Sequence, residues 1–263
     1  MIPLRVAVMS EPGARATNED ACGYWQREGP LCCALADGAG GHGGGDVAAQ
    51  LAVGSVLDGF RAQPLPSPQR VRELIIRAND VVVAAQSRGG EVGDMRATLV
   101  VFALDPASAH GAWGHVGDSR LYCFRQGFVV TQTKDHSLYQ SMVDAGFAAD
   151  DQRRGNPQRN VLTASLGSVD ELVVDVISEP FVTAAGDAFL LCTDGLWDCV
   201  EESAMEADLL NAQSPQDWLD RLRRRVIAAG RGSQDNYSAL AVWVGEMDFA
   251  TRLIPPVSES PGS

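Results

Sequence analysis

The sequence predicts an α+β fold of two mainly antiparallel sheets packed together, with helix pairs outside. Three observations support this. Strand signals arrive in consecutive runs, helix signals arrive in a pair, and the strict strand–helix alternation of a doubly wound parallel sheet is missing. At 263 residues, with 45% apolar and 21% charged side chains, the chain is long enough to bury a sizeable core.

The elements follow in order. Residues 5–10, 21–25 and 31–36 read as strands, with turn chemistry at Glu11-Pro12-Gly13 and around Gly29-Pro30. A helix over 46–60 follows a glycine-rich stretch. After Pro64, Pro66 and Pro68 a second helix, over about 69–87, carries Val71, Leu74, Ile75, Ala78, Val82 and Ala85 at a 3.6-residue period. Strand signals return at 97–104, 112–116, 120–124 and 128–131, with Gln126-Gly127 as the turn between the last two. Residues 138–145 read as a short helix, and 150–160 as a polar loop. Further strands are expected at 172–177 and 188–192. Ser214-Pro215 opens a helix with an N-cap serine and proline at the first position, its apolar face being Trp218, Leu219, Leu222, Val226 and Ile227. A strand over 237–244 ends a domain expected to span 1–246. Residues 247–263, with Pro255-Pro256, are expected to be a disordered tail.

Composition excludes several function classes. With 34 acidic against 21 basic side chains, the net charge of −13 repels phosphate backbones and anionic lipid. Neither nucleic acid nor membrane is therefore expected as a partner. No apolar stretch approaches the ~20 residues needed to span a bilayer, and the N-terminus lacks the pattern of a secretory signal. The six cysteines show no CxxC spacing, and Cys32, Cys33, Cys123 and Cys192 lie in strand-like apolar runs as small core residues. A reduced, cytoplasmic location is expected.

Five short segments place acids beside glycine or at strand ends: Asn18-Glu19-Asp20, Asp37-Gly38, Gly117-Asp118-Ser119-Arg120, Asp194-Gly195 and Asp235-Asn236. One Asp-Gly is an ordinary turn signal; five such segments are not. A buried unpaired carboxylate costs several kcal/mol or shifts its pKa, and a divalent cation removes that cost. Glycine beside the acid lets backbone approach and frees its carbonyl as a further oxygen ligand. Such oxygen donors suit Mg²⁺ or Mn²⁺. The four histidines are scattered, with His110 and His115 in or beside strands, which argues against a histidine-ligated zinc site.

These segments, with Arg15-Ala16-Thr17 before Asn18, Lys134-Asp135-His136-Ser137, Leu162-Thr163-Ala164-Ser165-Leu166-Gly167 and Thr193-Asp194-Gly195-Leu196-Trp197-Asp198, resemble in order and spacing the metal-dependent, PP2C-like serine/threonine protein phosphatases of bacterial type. The resemblance covers about 5–244 and implies a four-layer α-β-β-α sandwich, in agreement with the element order. It implies hydrolysis of phosphoserine and phosphothreonine by a metal-activated water, opposing a bacterial Ser/Thr kinase. It also implies two Mn²⁺ or Mg²⁺ ions, with a third held more weakly. Asp37 would bridge the two ions, Asp194 and Asp235 would complete one, and the Gly38 carbonyl would serve the other. Glu19 and Asp20 would hold metal-bound waters, and Arg15 would bind the substrate phosphate through its fork of donors. Asp118 would share the third ion with Asp194, or else pair with Arg120 or cap a turn in a structural role. The substrate would be a phosphorylated protein, and a monomer is expected.

Three departures from the family pattern stand out. Ala39 replaces a histidine proposed as general acid in some members, and that role does not pass to His42. Met95-Arg96-Ala97-Thr98 replaces a glycine-threonine-threonine pattern, and Ala164 replaces an arginine. The segment 138–160 matches the family's variable flap, and Arg153, Arg154 and Arg159 would make it locally positive. Two other readings remain: a hydrolase of small phosphate esters, and an inactive phosphate-binding relative. The retained Asp37, Asp194 and Asp235 speak against the second.

Overall fold

The computed structural model describes residues 2–27, 29–39, 44–87, 89, 93–149, 152–153, 156–169, 171–230, 232 and 234–247. The first sheet takes strands β1 (Leu4–Glu11), β13 (Tyr237–Val244), β12 (Asp187–Cys192), β8 (Arg120–Arg125) and β9 (Phe128–Gln132), in that spatial order. The second runs β10 (Asp175–Val176), β7 (His110–Val116), β6 (Leu99–Asp105), β3 (Leu31–Ala36) and β2 (Ala21–Gln26), and β11 (Phe181–Val182) also pairs with β7. Every recorded pairing is antiparallel. The two sheets face each other across Leu35, Val100, Phe102, Leu121, Phe189, Leu191 and Leu240. At its centre Phe102 stacks on Phe189 with ring centroids 4.3 Å apart.

Helices cover both outer faces. α1 (Gly45–Ala62) and α2 (Pro68–Gln86) lay Ala48, Ala52, Val56, Leu74, Ile75 and Val82 on the second sheet. α5 (Glu202–Leu210) and α6 (Pro215–Ala228) lay Met205, Leu209, Trp218, Leu219 and Leu222 on the first. This is the expected four-layer α-β-β-α sandwich. The caps follow the sequence: Ser67 and Ser214 accept from the backbone N–H three residues on, each with proline at the start of its helix. Cys32, Cys33, Cys123 and Cys192 are buried in the core, as expected. No helix among the described residues is long and apolar enough to cross a membrane.

The structure departs from the sequence reading in four places. The strand expected over 97–104 breaks at Thr98. There Arg96–Ala97 (β5) leaves to pair with Gly38–Ala39 (β4), because Thr98 engages the Asp37 backbone instead. The strand expected over 172–177 shrinks to Asp175–Val176. β11 and α5 carried no signal strong enough to read. In α5 only Met205, Asp208 and Leu209 are buried, so it shows no apolar stripe, and Asp208 is held at the interface by Arg225 of α6. The expected tail over 247–263 lies outside the described residues apart from Met247.

The antiparallel alternation has one consequence for the site. β3 and β7 flank β6 and run the same way, so both end at the same edge, where Asp37 and Gly117-Asp118 follow. β12 ends there before Thr193-Asp194, and its antiparallel neighbour β13 begins there after Asp235-Asn236. β2, antiparallel to β3, begins there after Glu19-Asp20.

Candidate metal centre

A cleft of about 550 Å³ opens at that end of the sandwich. Arg15, Glu19, Asp37, Gly38, Asp118, Asp194 and Asp235 all line it. Of the eight residues expected at the site, only Asp20 lies behind the cleft wall. There its Oδ2 accepts a hydrogen bond from the Thr193 hydroxyl at 3.0 Å.

The backbone around these acids is tightly fixed. Thr98 pairs with Asp37 twice, accepting its N–H at 3.0 Å on Oγ1 and donating its own N–H to the Asp37 carbonyl at 2.8 Å. The Thr98 hydroxyl also meets Ser119 Oγ at 2.7 Å, which ties the Asp37 turn to the Asp118 turn. Asn236 pins the loop before β2: its Nδ2 donates to the carbonyls of Pro12 and Thr17, and its Oδ1 accepts from the Glu19 N–H, each at 2.9 Å. Glycine is required at two positions by close approach. A Cβ on Gly38 would overlap the Gly45 backbone, and one on Gly195 would overlap the Asn236 carbonyl.

Beneath the cleft lies a buried cationic brace. Arg120 spans both oxygens of Asp135 at 2.8 Å and donates to the Tyr122 hydroxyl at 2.8 Å. Its guanidinium lies 3.6 Å from the Trp197 ring centroid, and Trp197 Nε1 donates to the Asp118 carbonyl at 3.0 Å. Arg120 is thus committed to Asp135, and the alternative of an Asp118–Arg120 ion pair is not what forms. Arg153 closes on the same Asp135 at 2.7 Å and on Gln140, with 8% of its surface exposed. Its charge is therefore spent on Asp135 rather than left to make the flap locally positive. Arg159 reaches Asp198 at 2.8 Å, in a recess of about 230 Å³ that shares Arg15, Asp194 and Asp235 with the cleft. Arg154 and His42 lie outside the described residues.

The electrostatics are those of crowded like charges. Burial, then Asp194, Asp20, Asp118 and Asp235, pushes the Asp37 carboxyl well above the usual carboxylate range. Asp118 is raised in the same way by burial and by Asp194 and Asp135. Burial and neighbouring acids lift Asp20 to about 7 and Asp194 to about 6. Burial and Asp46, in the first turn of α1, raise Glu19. The one cation paired to these acids in the cleft among the described residues is Arg15, whose Nη2 lies 2.9 Å from Asp235 Oδ2.

The donor set fits divalent cations. Asp194 Oδ1 and Asp20 Oδ1 are buried without a hydrogen-bond partner, which costs about 1–3 kcal/mol or more for a charged group unless something else satisfies them. The converging acids offer only oxygen donors, the chemistry of Mg²⁺ and Mn²⁺ rather than of softer ions. Sequence reasoning gave Thr98 and Asn236 no role and did not find Asp46 or the pairing of Arg159 with Asp198. The first two carry no charge, and the others become neighbours of the cleft only through the fold.

The raised carboxyls set a pH dependence for the metal-free protein. Each binds its proton more tightly folded than unfolded, so its stabilisation is full below about pH 4 and is lost as pH rises through the folded values near 6 and 7. The metal-free protein is expected to melt at a higher temperature at pH 5 than at pH 8, and saturating Mn²⁺ should remove or reverse the difference. Thermal unfolding with and without chelator checks this; a metal-free protein more stable at pH 8 would contradict it.

The protein phosphatase 2C family model matches residues 13–234. Over 253 residues the chain is 31% identical to the serine/threonine protein phosphatase PstP of Mycobacterium tuberculosis, a match that takes in 94% of this chain and 46% of PstP. The chain therefore spans about half the length of that relative. It is 30% identical over 234 residues to the serine/threonine phosphatase stp of Listeria monocytogenes, covering 87% of this chain and 90% of stp. The crystal structure of the PstP catalytic domain in complex with two manganese ions aligns with a TM-score of 0.78 at 28% identity, over 94% of this chain and all of that one. On these matches and the shared fold, the chain belongs to the protein phosphatase 2C family.

Proposed function

We propose that the chain is a metal-dependent protein phosphatase that hydrolyses phosphoserine and phosphothreonine, opposing a bacterial Ser/Thr kinase in cytoplasmic signalling. The observation that carries this reading is the convergence of buried, mutually repelling carboxyls on a cleft whose rim bears an arginine. The two manganese ions of the PstP catalytic domain support the same reading.

In this proposal Asp37, Asp194, Asp235 and the Gly38 carbonyl would hold two ions, with Asp37 serving both. Glu19 lines the cleft and Asp20 backs it, placing both to orient water. When bound, the ions supply an acidified water and positive charge beside the phosphoryl oxygens. The chain's own residues do the rest. Asp37 and Asp194 would be ionised on binding the ions and would fix where that charge stands. Arg15 turns its guanidinium from Asp235 to the phosphate and clamps two of its oxygens. The Thr98–Ser119 and Asn236 contacts hold the acids so that little reorganises during reaction. Ala39 offers no proton, so the leaving oxygen takes one from solvent or another group.

Release of phosphate from a phosphothreonine peptide and from nucleotides, each with and without chelator, tests the reading. Metal-dependent turnover of the peptide well above that of nucleotides is expected, with Asp37→Asn losing roughly 10²-fold or more. Preference for nucleotides would favour the small-ester reading, and no turnover with metal would favour an inactive relative.

Asp118 is proposed to share a third, weaker ion with Asp194. Its raised carboxyl is close enough for Asp194 to be its leading charged neighbour. Asp118→Asn removes a repelling charge and is expected to leave the melting temperature unchanged or slightly higher while cutting turnover at high Mn²⁺. A large fall in melting temperature without a kinetic defect would assign Asp118 a structural role instead.

A further inference from the structure

Outside the acidic cleft, the described residues bring together one other set of metal-ligating side chains: His115, His136 and Asp175. One donor atom from each lies within 4.8 Å of the other two. His115 is the penultimate residue of β7, and Asp175 sits directly opposite it in register on the edge strand β10. His136 comes from the loop after β9 and is drawn onto the end of β7 by its backbone N–H, which donates to the Gly117 carbonyl at 2.9 Å. The two imidazoles stack with centroids 4.6 Å apart. None of the three residues lines the cleft.

Two imidazoles and one carboxylate suit zinc and its neighbours, whereas the all-oxygen cleft suits Mg²⁺ or Mn²⁺. His115 Nε2 lies 2.7 Å from the Lys134 carbonyl, so Nε2 carries the ring proton and Nδ1 keeps its lone pair. A ring N–H held by a carbonyl is the support that metal-ligating histidines generally have. Burial also lowers the His115 pKa to about 4, leaving the ring neutral at physiological pH. His136 is 9% exposed, and its Nε2 has no hydrogen-bond partner although Asp175 Oδ2 is 3.2 Å away. Because Nδ1 accepts from the Gly117 N–H, Nε2 carries the ring proton here, and this buried nitrogen is left unsatisfied beside a carboxylate that water can reach.

We propose that His115 Nδ1, His136 Nε2 and an Asp175 carboxylate oxygen form a three-ligand site for a zinc-class transition-metal ion, separate from the Mg²⁺/Mn²⁺ cleft. The fourth position opens to water on the side of Asp175, whose side chain is 60% exposed. Tetrahedral ligation at about 2.0–2.1 Å requires the donors to close in from their present spacing, and Asp175, on a two-residue edge strand, is the ligand free to do so. Ligation at Nε2 leaves the His136 ring proton on Nδ1. It therefore displaces the 3.3 Å hydrogen bond that Nδ1 accepts from the Gly117 N–H. Gly117 immediately precedes Asp118, so the two sites are neighbours along the chain. The scattered histidines argue against zinc in the sequence because nothing there shows the loop after β9 folding back onto β7.

Equilibrium dialysis with elemental analysis tests the site. The full chain carrying Asp37→Asn and Asp194→Asn, which disable the acidic cleft, is dialysed against zinc with excess Mg²⁺. One zinc per chain is expected at micromolar concentration, weakened roughly tenfold or more by adding Asp175→Asn and lost on adding His136→Gln. Cobalt in place of zinc should give the visible absorption of a four-coordinate ion, diminished in the Asp175→Asn protein. Asp175 is exposed, so its variant remains informative if the buried histidine variant fails to fold. Failure to retain zinc, or retention unchanged in both added variants, would overturn the proposal.

Discussion

Carboxyl groups repel one another, and here the topology forces them together. Strands of both sheets end or begin at one edge of the sandwich with an acid, and antiparallel alternation leaves no other place for those acids to go. Burial strengthens the repulsion, because the surrounding dielectric screens it less than water does. The raised carboxyls of Asp20, Asp37, Asp118 and Asp194 express that cost directly. A site of this kind is destabilised when empty and gains most from divalent cations, so metal binding and stability are coupled.

What keeps the acids in place against their repulsion is a set of neutral and cationic contacts behind them. Thr98 clamps both backbone groups of Asp37, Asn236 ties three segments of the cleft wall, and Trp197 holds the Asp118 carbonyl while stacking on Arg120. The two arginines on Asp135 place positive charge beneath the cleft without entering it. Preorganisation of this sort lets a metal site bind ions without rebuilding its backbone. It also explains why glycine stands at 38 and 195, where neighbouring backbone leaves no room for a Cβ.

Much of this was legible in the sequence because its signals are local. Strand runs ending in Asp-Gly, the Ser-Pro helix starts and the 3.6-residue period of α2 each need only a few neighbouring residues to be read. The order of acidic segments then pointed to a shared cleft, and seven of the eight expected residues line it. What stayed hidden depends on contacts between distant segments. α5 hides because its buried Asp208 is satisfied by Arg225 of another helix, and the break at Thr98 because its partner Asp37 lies 61 positions away. Arg153 reads as part of a locally positive segment in the sequence, and only the fold shows that Asp135 and Gln140 take up its guanidinium. Departures from the family pattern proved mild in one case: Arg96, in the altered 95–98 segment, donates to the Gly167 carbonyl at 2.8 Å and so braces the loop where Ala164 stands for an arginine.

The central claim is that the carboxyl cluster exists to hold divalent ions. Anomalous diffraction from crystals grown with Mn²⁺ tests it most directly. The account predicts two strong manganese peaks in the cleft, both touching Asp37, one completed by Asp194 and Asp235 and the other by the Gly38 carbonyl. An empty cleft at saturating Mn²⁺, with the Asp37 and Asp194 carboxyls left facing each other, would contradict it.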